Sequence, residues 1–557
     1  MKFRSTDVSM EDYGKSHLNS DHNDDFDEVE LKSLDKNDIL FVDRMIIISF
    51  AVIIGLLPLL VRLKMTLFLS PSFTGYDALD SGFKGNVFTY YKFVFLIIFT
   101  AIPLLLFLYK TLISRFDLRK NYIHIPLFIF IISLLSSLML SEFKYISLFG
   151  MYNRHEGTIT YLCYAVLFFI AIHTSISTKQ AKILIYSVFP VILVNSFLSI
   201  ASFFGYDVLT ENNMLRTVVL PPEIGNEGKL VDARLMSTLN NPNYVSGFAA
   251  MVSVLFFLLA AYRENWKEQL LFSMVSVCSF ALLLSSLSSS GFVTLIIMLP
   301  ILGVIFWKSG FKRKMSKPII GVTFSFILVF AIFANHNPQV WNETFGLVMK
   351  KNPFQHGTSS NQLLNYPIVS LPELFFERVY AEELSKSKSK KEYKLPELPP
   401  RGTGVGTGRV YIWEHTWELI KKKPLFGYGM DTLAYTFPQN DIRKYSDFLG
   451  DPYSVVDKPH NMYLALGYGC GLVGLFAFLS LCSAHIIQMW RYVRKSTSVL
   501  LDRRILVISI FGGWLALLIQ GLFNDMIIGI GPIFWIMFGV MISLMHHEKA
   551  EMKEEEM

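Results

Sequence analysis

Charge is scarce in this sequence. Asp, Glu, Lys and Arg together make up 17% of its 557 residues, against about a quarter in an ordinary soluble chain. Cysteine is scarcer still: Cys163, Cys278, Cys470 and Cys482 all lie inside apolar segments, so neither a disulfide framework nor a zinc site is expected. The first 43 residues lack a basic stretch leading into an apolar run and lack a small-residue cleavage site, so no signal peptide is read there. Ionisable residues are almost missing from the middles of the apolar segments, which argues against a proton or ion relay through a bilayer. No long-period repeat and no matched pair of Gly/Pro-broken segments stands out.

What is present is apolar surface. Hydrophobic residues reach 52% and aromatics 15%, with 48 Phe, arranged in runs long enough to cross a bilayer core of about 30 Å. The fold class is therefore all-α, a polytopic helical membrane protein. Candidate spans run over 45–63, 91–109, 124–140, 158–174, 181–205, 244–262, 269–286, 289–307, 318–334, 462–487, 505–523 and 526–545, about twelve in all. The net charge of +6 is accounted for by basic cytoplasmic loops, and nucleic acid is not expected as a partner.

Orientation follows from where those basic residues fall. With the N-terminus inside, short cytoplasmic loops hold clusters such as Lys308, Lys312, Arg313, Lys314 and Lys317, and Arg491, Arg494, Lys495, Arg503 and Arg504. The external loops hold fewer basic residues over longer stretches. The positive-inside rule then puts both termini in the cytoplasm. The expected organisation is a disordered, acidic cytoplasmic tail over 1–43 and nine transmembrane helices over 44–334. A large extracytoplasmic loop over 335–461 follows, between spans 9 and 10, with a flexible insert at about 382–400. Three last helices occupy 462–546, and a short cytoplasmic tail occupies 547–557. After the glycine-rich run 402–408, read as a hinge, the pattern VYIWEHTWELIKKKP gives an amphipathic helix ended by Pro424.

Unusual polar residues gather beside span ends on the external side. Arg234 and Arg409 offer planar donor forks suited to phosphate oxygens, or to lipid headgroups. His460 can exchange a proton near neutral pH, or serve as a packing residue at a helix entrance. Asn240, Asn241 and Asn243 flank Pro242 and either bind sugar hydroxyls or form a turn and cap the next helix. Asp447, Asp451 and Asp457 match no metal-site spacing and read as solvated loop acids.

Three motifs carry a resemblance. STLNNPNY at 237–244, the helix opening at Gly408 and Arg409 and closing in PLFGYG at 424–429, and PHNMYL at 459–464 together resemble the O-antigen ligase and O-antigen polymerase family, over about 230–480. The resemblance implies a GT-C-like membrane glycosyltransferase that takes an undecaprenyl-pyrophosphate-linked glycan as donor and a glycan, lipid or protein as acceptor, with membrane lipids around it. No nucleotide, metal or other cofactor is implied. Residue by residue, Arg234 and Arg409 match the family's pyrophosphate-binding arginines and His460 its essential histidine. Arg154, in a Tyr-x-Arg-x-x-Gly element, joins Asn241, Asn243, Asn461 and Tyr463 as substrate-binding candidates.

The implied chemistry is an inverting displacement. The arginines stabilise charge on the leaving pyrophosphate, and a neutral His460 takes the acceptor hydroxyl's proton. The acidic tail and the 382–400 insert depart from the simplest family pattern. The competing reading is a flippase or transporter of a lipid-linked sugar, in which the same arginines only hold pyrophosphate during export; the blandest is a membrane scaffold.

Overall fold

A computed structural model describes residues 20–220, 235–309, 313–349, 351–354, 408–451, 454–494 and 502–556. Arg234, the glycines at 402, 404 and 406, and the expected insert at 382–400 lie outside these residues.

The chain is mostly helical. Its main helices are α1 (Ser20–Leu56), α2 (Tyr90–Leu112), α3 (His124–Leu140), α4 (Lys144–Phe149), α5 (Thr158–His173), α6 (Thr178–Tyr186) and α7 (Phe189–Phe203). They continue with α8 (Pro242–Tyr262), α9 (Trp266–Ser285), α10 (Ser289–Ser309), α11 (Arg313–His336), α12 (Arg409–Lys422) and α13 (Met462–Gly469). Last come α14 (Gly471–Arg494), α15 (Asp502–Gln520) and α16 (Gly531–Glu556). Among the described residues eight helical stretches are long and apolar enough to cross a membrane, and three apolar helices, 124–140, 158–173 and 531–546, are shorter. Large apolar side chains such as Leu105, Leu112, Phe128, Phe197, Ile320 and Phe324 point outward. That inside-out surface is what a lipid-facing bundle requires.

α8 is the axis of the bundle, buried along almost its whole length and packed against α9, α10 and α15. Small residues such as Ala249, Ala250 and Ser253 let its neighbours approach closely, and Ser276 Oγ donates to the Ser253 carbonyl at 2.9 Å.

Four differences from the sequence expectations shape the site. First, α1 begins at Ser20, so most of the segment expected as a disordered tail is helical. Its Asp43 is buried against Lys110 of α2 at 2.7 Å, and Lys110 also donates to the His173 carbonyl at 3.0 Å. A polar residue near a span end was drawn into the bundle because it could be fully paired there.

Second, the first large loop contains an antiparallel hairpin, β1 (Lys64–Phe68) with β2 (Gly82–Asn86), in register Met65 opposite Gly85. Asn86 Oδ1 then accepts from Phe88 N, Thr89 N and Thr89 Oγ1, fixing the entry to α2.

Third, the expected span 462–487 is broken between α13 and α14. The turn at 424–429 reaches in at the break: Leu472 N donates to Pro424 O at 2.7 Å, Tyr428 N to Tyr468 O at 3.0 Å and Gly429 N to Gly469 O at 3.0 Å. Serines of α3 also donate to carbonyls at the break, Ser133 to Cys470 O at 2.6 Å and Ser137 to Gly469 O. Irregular backbone inside a bundle survives only where such partners exist. Gly427 (φ +69°) and Gly471 (φ +74°) are left-handed, and a Cβ on either would run into backbone of the opposite segment.

Fourth, α15 ends at Gln520 and α16 starts at Gly531, leaving 521–530 unwound where spans 505–523 and 526–545 were expected to meet. The unwound stretch pairs with 461–462: Met462 N donates to Gly521 O at 2.8 Å and Asn524 O at 3.1 Å, and Asn461 Nδ2 donates to Leu522 O at 3.0 Å.

Candidate active site

These irregular segments converge with the loop before α5. Arg154 is at the centre, 4% exposed, with its guanidinium shared between Asp431 (Nη2 to Oδ1, 2.5 Å; Nε to Oδ1, 2.7 Å) and Asp457. Asp431, left-handed at φ +61°, also accepts from Met151 N at 2.7 Å. Three distant segments, 150–157, 427–432 and 454–460, are thus tied by one buried ion-pair knot. Against the effect of burial, the two carboxylates keep Arg154 protonated above its ordinary range. Likewise against burial, Arg154 and Lys458 hold Asp457 below the usual carboxylate range. The reading of Asp457 as a solvated loop acid is therefore corrected.

Lys458 follows in the chain. Its ammonium donates to Tyr244 Oη of α8 at 2.5 Å, and Tyr244 and Asp457 keep it charged in spite of burial. His460 has a left-handed backbone (φ +51°) that is fixed on two sides. Trp413 of α12 donates to the Pro459 carbonyl at 2.8 Å, and Asn461 caps α13 through Tyr463 N and Leu464 N, both at 3.0 Å.

The imidazole Nδ1 of His460 faces Asp525 Oδ2 at 3.9 Å, and Asp525 Oδ1 accepts from Asn461 N at 3.2 Å. Burial, then the positive charges of Lys458, Arg409 and Arg154, push His460 down to about 3. Burial raises Asp525 to about 6. At neutral pH the imidazole is neutral and Asp525 is ionised.

Arg409 opens α12. Its charge is felt by His460 and is itself offset by Asp525, and its guanidinium makes no hydrogen bond or ion pair among the described residues. Cavities surround this group. One is lined by Glu156, Asp431, Asp457, Lys458 and Asp525. A second is bordered by Lys92, Asn153, Arg154, Glu156, Asn240, Tyr244 and Lys458. A third reaches from Asp525 past Tyr244 to Asn243, Gln520 and Asn524.

The structure thus brings together Arg154, Arg409 and His460 from the sequence candidates. The others are placed differently. Asn241 caps α8 by accepting from Asn243 N at 2.9 Å; Asn243 Oδ1 turns away to accept from Ser288 at 2.7 Å. Asn461 is occupied by its cap and by Leu522 O, and Tyr463 donates to Leu518 O at 2.7 Å. Sequence reasoning missed Asp431, Asp525, Glu156 and Lys458. Lys458 adjoins the PHNMYL motif and Asp431 follows the GYG turn, so adjacency was a usable signal for those two.

The model of the O-antigen ligase family matches residues 274–479. The chain carries an O-antigen ligase segment. This match spans less than half of the chain, and it contains Arg409, Asp431, Asp457, Lys458, His460, Asn461 and Tyr463. Arg154, Arg234, Asn241, Asn243 and Asp525 come from outside the O-antigen ligase segment, so the knot and the His460–Asp525 contact join that segment to the rest of the bundle. No curated protein matches the chain. An O-antigen ligase segment within a polytopic helical bundle makes this an O-antigen ligase-like membrane protein of glycan processing.

Proposed function

We propose that the protein transfers or polymerises an undecaprenyl-pyrophosphate-linked glycan at the outer face of the bacterial cytoplasmic membrane, as an inverting glycosyltransferase with both termini in the cytoplasm. The observation that carries this reading is the arrangement at His460: an imidazole held neutral, a carboxylate on its Nδ1 side, and near it Arg409, whose guanidinium has no hydrogen-bond or ion-pair partner among the described residues.

Arg409 and Lys458, with Arg234, take the pyrophosphate. Guanidinium and ammonium groups fixed in a partly dry site stabilise the charge that grows on the leaving oxygens more than they stabilise the bound donor. This assigns the charge stabilisation to the protein's own cations, with no metal and no cofactor. Asp525 takes the Nδ1–H of His460, which leaves Nε2 as the acceptor for the proton of the attacking hydroxyl. The same cations that depress His460 are neutralised when a pyrophosphate binds, so the imidazole becomes a stronger base only when the donor is in place. Attack opposite the leaving group inverts the anomeric centre.

The test is the distribution of surface glycan in cells lacking the protein, complemented with wild type or His460→Ala. Single repeats left on carrier or acceptor identify a polymerase; full-length polymer accumulating on the carrier identifies a ligase. Complementation by His460→Ala as good as by wild type overturns the reading and favours a flippase.

A further inference from the structure

Every acid at the site has a partner except one. Asp431 and Asp457 hold Arg154, and Asp525 accepts from Asn461 N and faces His460. Among the described residues the Glu156 carboxyl has no hydrogen bond and no ion pair, although it lies two residues from Arg154. It borders both the first and the second of the cavities described above, and Lys458 is the other residue common to the two. Its side chain is half-buried, so the carboxyl is left open to a ligand group entering either cavity.

We propose that Glu156, at the junction of the two cavities, binds a hydroxyl of the glycan substrate through its carboxyl. The chemical class fits the place. A carboxylic acid offers one donor and one acceptor, which matches a sugar hydroxyl, whereas a carboxylate there would repel the pyrophosphate that the nearby cations attract. The second cavity adds the amides of Asn153 and Asn240, and Asn153 Oδ1 is buried with no hydrogen-bond partner; both suit further hydroxyls.

The charged and titratable groups around Glu156 agree. Burial and then Asp431 raise its proton affinity, with Asp525 adding to the effect and Lys458 and Arg154 opposing it, and the outcome is well above the ordinary carboxylate range. His155 next to it is neutral, lowered by burial to about 4. Lys92 is engaged by the carbonyls of Phe88 and Thr238.

This inference rests on the glycosyltransferase reading and is tested alongside it. Purified full-length chain is reconstituted into membrane vesicles from cells lacking it, which carry the cells' own lipid-linked glycan, and consumption of that glycan is followed against pH. Wild type is expected to lose activity as pH rises through the Glu156 ionisation. Glu156→Gln, a neutral donor and acceptor at all pH, is expected to keep activity within about threefold at neutral pH and to lose the alkaline fall. Glu156→Ala is expected to lose about tenfold or more in kcat/KM, the size of one hydrogen bond to a buried group. Wild-type activity in Glu156→Ala, or an unchanged alkaline fall in Glu156→Gln, overturns the inference, and so does an inactive Glu156→Gln that remains folded. Should Glu156→Ala fail to fold, the pH profile of Glu156→Gln decides alone. If wild-type protein consumes no lipid-linked glycan, the proposed function itself fails; if it does while His460→Ala does not, the Glu156 result stands by itself.

Discussion

Asp525 Oδ2 lies 3.9 Å from His460 Nδ1, on the far side of the imidazole from the free ring nitrogen. The two residues come from segments 65 positions apart, both unwound from helices and bonded to each other through Asn461 N. In the proposed mechanism Asp525 steadies the imidazole, and the pH behaviour then follows from the carboxylate, not the histidine. Asp525, raised to about 6, loses its charge as pH falls through that value, while His460 in the free protein stays neutral to about 3. Transfer activity is expected to fall between about pH 7 and 5. Asp525→Asn should lower activity by up to about 10⁴-fold, as replacing the carboxylate behind a catalytic imidazole does, and should flatten that acid limb. A pH–rate profile of both proteins checks this.

The Arg154 knot should dominate the stability of the large-loop end. Its pair with Asp431 is buried, at 5% exposure on each side, so Arg154→Ala strands two carboxylates and should cost about 3–5 kcal/mol. The exposed pair Lys421–Glu418 provides the control, with Glu418→Ala within about 1 kcal/mol of wild type. Thermal unfolding in detergent separates the two.

Arg409 is expected to act in two ways. Arg409→Ala removes a cation that depresses His460, so the histidine's titration should move upward, measurable by proton NMR of labelled imidazole. It should also lower turnover by about 10²–10³-fold, as loss of one preorganised charge-stabilising donor does.

Gly471 makes the break between α13 and α14 possible. Gly471→Ala places a Cβ at φ +74° against the backbone of Leu425, and should destabilise by about 1–3 kcal/mol from the backbone conformation alone, with further loss from undocking the 424–429 turn. Limited proteolysis between α12 and α13 should show that turn exposed.

Much of the helical scaffold was legible because apolar runs report burial in lipid or bundle directly. Helices lie at all twelve apolar segments, although among the described residues eight stretches meet the length and apolarity needed to span. The breaks were not legible. The glycines beside Cys470 do not by themselves mark the point where a turn from forty residues upstream inserts, and the expected spans left only 524–525 between them where the chain is unwound over 521–530. At the site, motif adjacency revealed His460 and Arg409. The partners of Arg154 stayed hidden, because an ion pair across some 280 residues leaves no local pattern. Asn241 and Asn461 illustrate the reverse: their types suit sugar hydroxyls, yet both cap helices.

In the proposed mechanism His460 removes the acceptor's proton during displacement of a pyrophosphate. The most direct measurement is release of undecaprenyl pyrophosphate by purified wild-type and His460→Ala protein in vesicles carrying lipid-linked glycan, with folding verified by thermal unfolding. Release from wild type and a loss of about 10²–10⁴-fold in His460→Ala are expected. Equal release from the two folded proteins would contradict that mechanism.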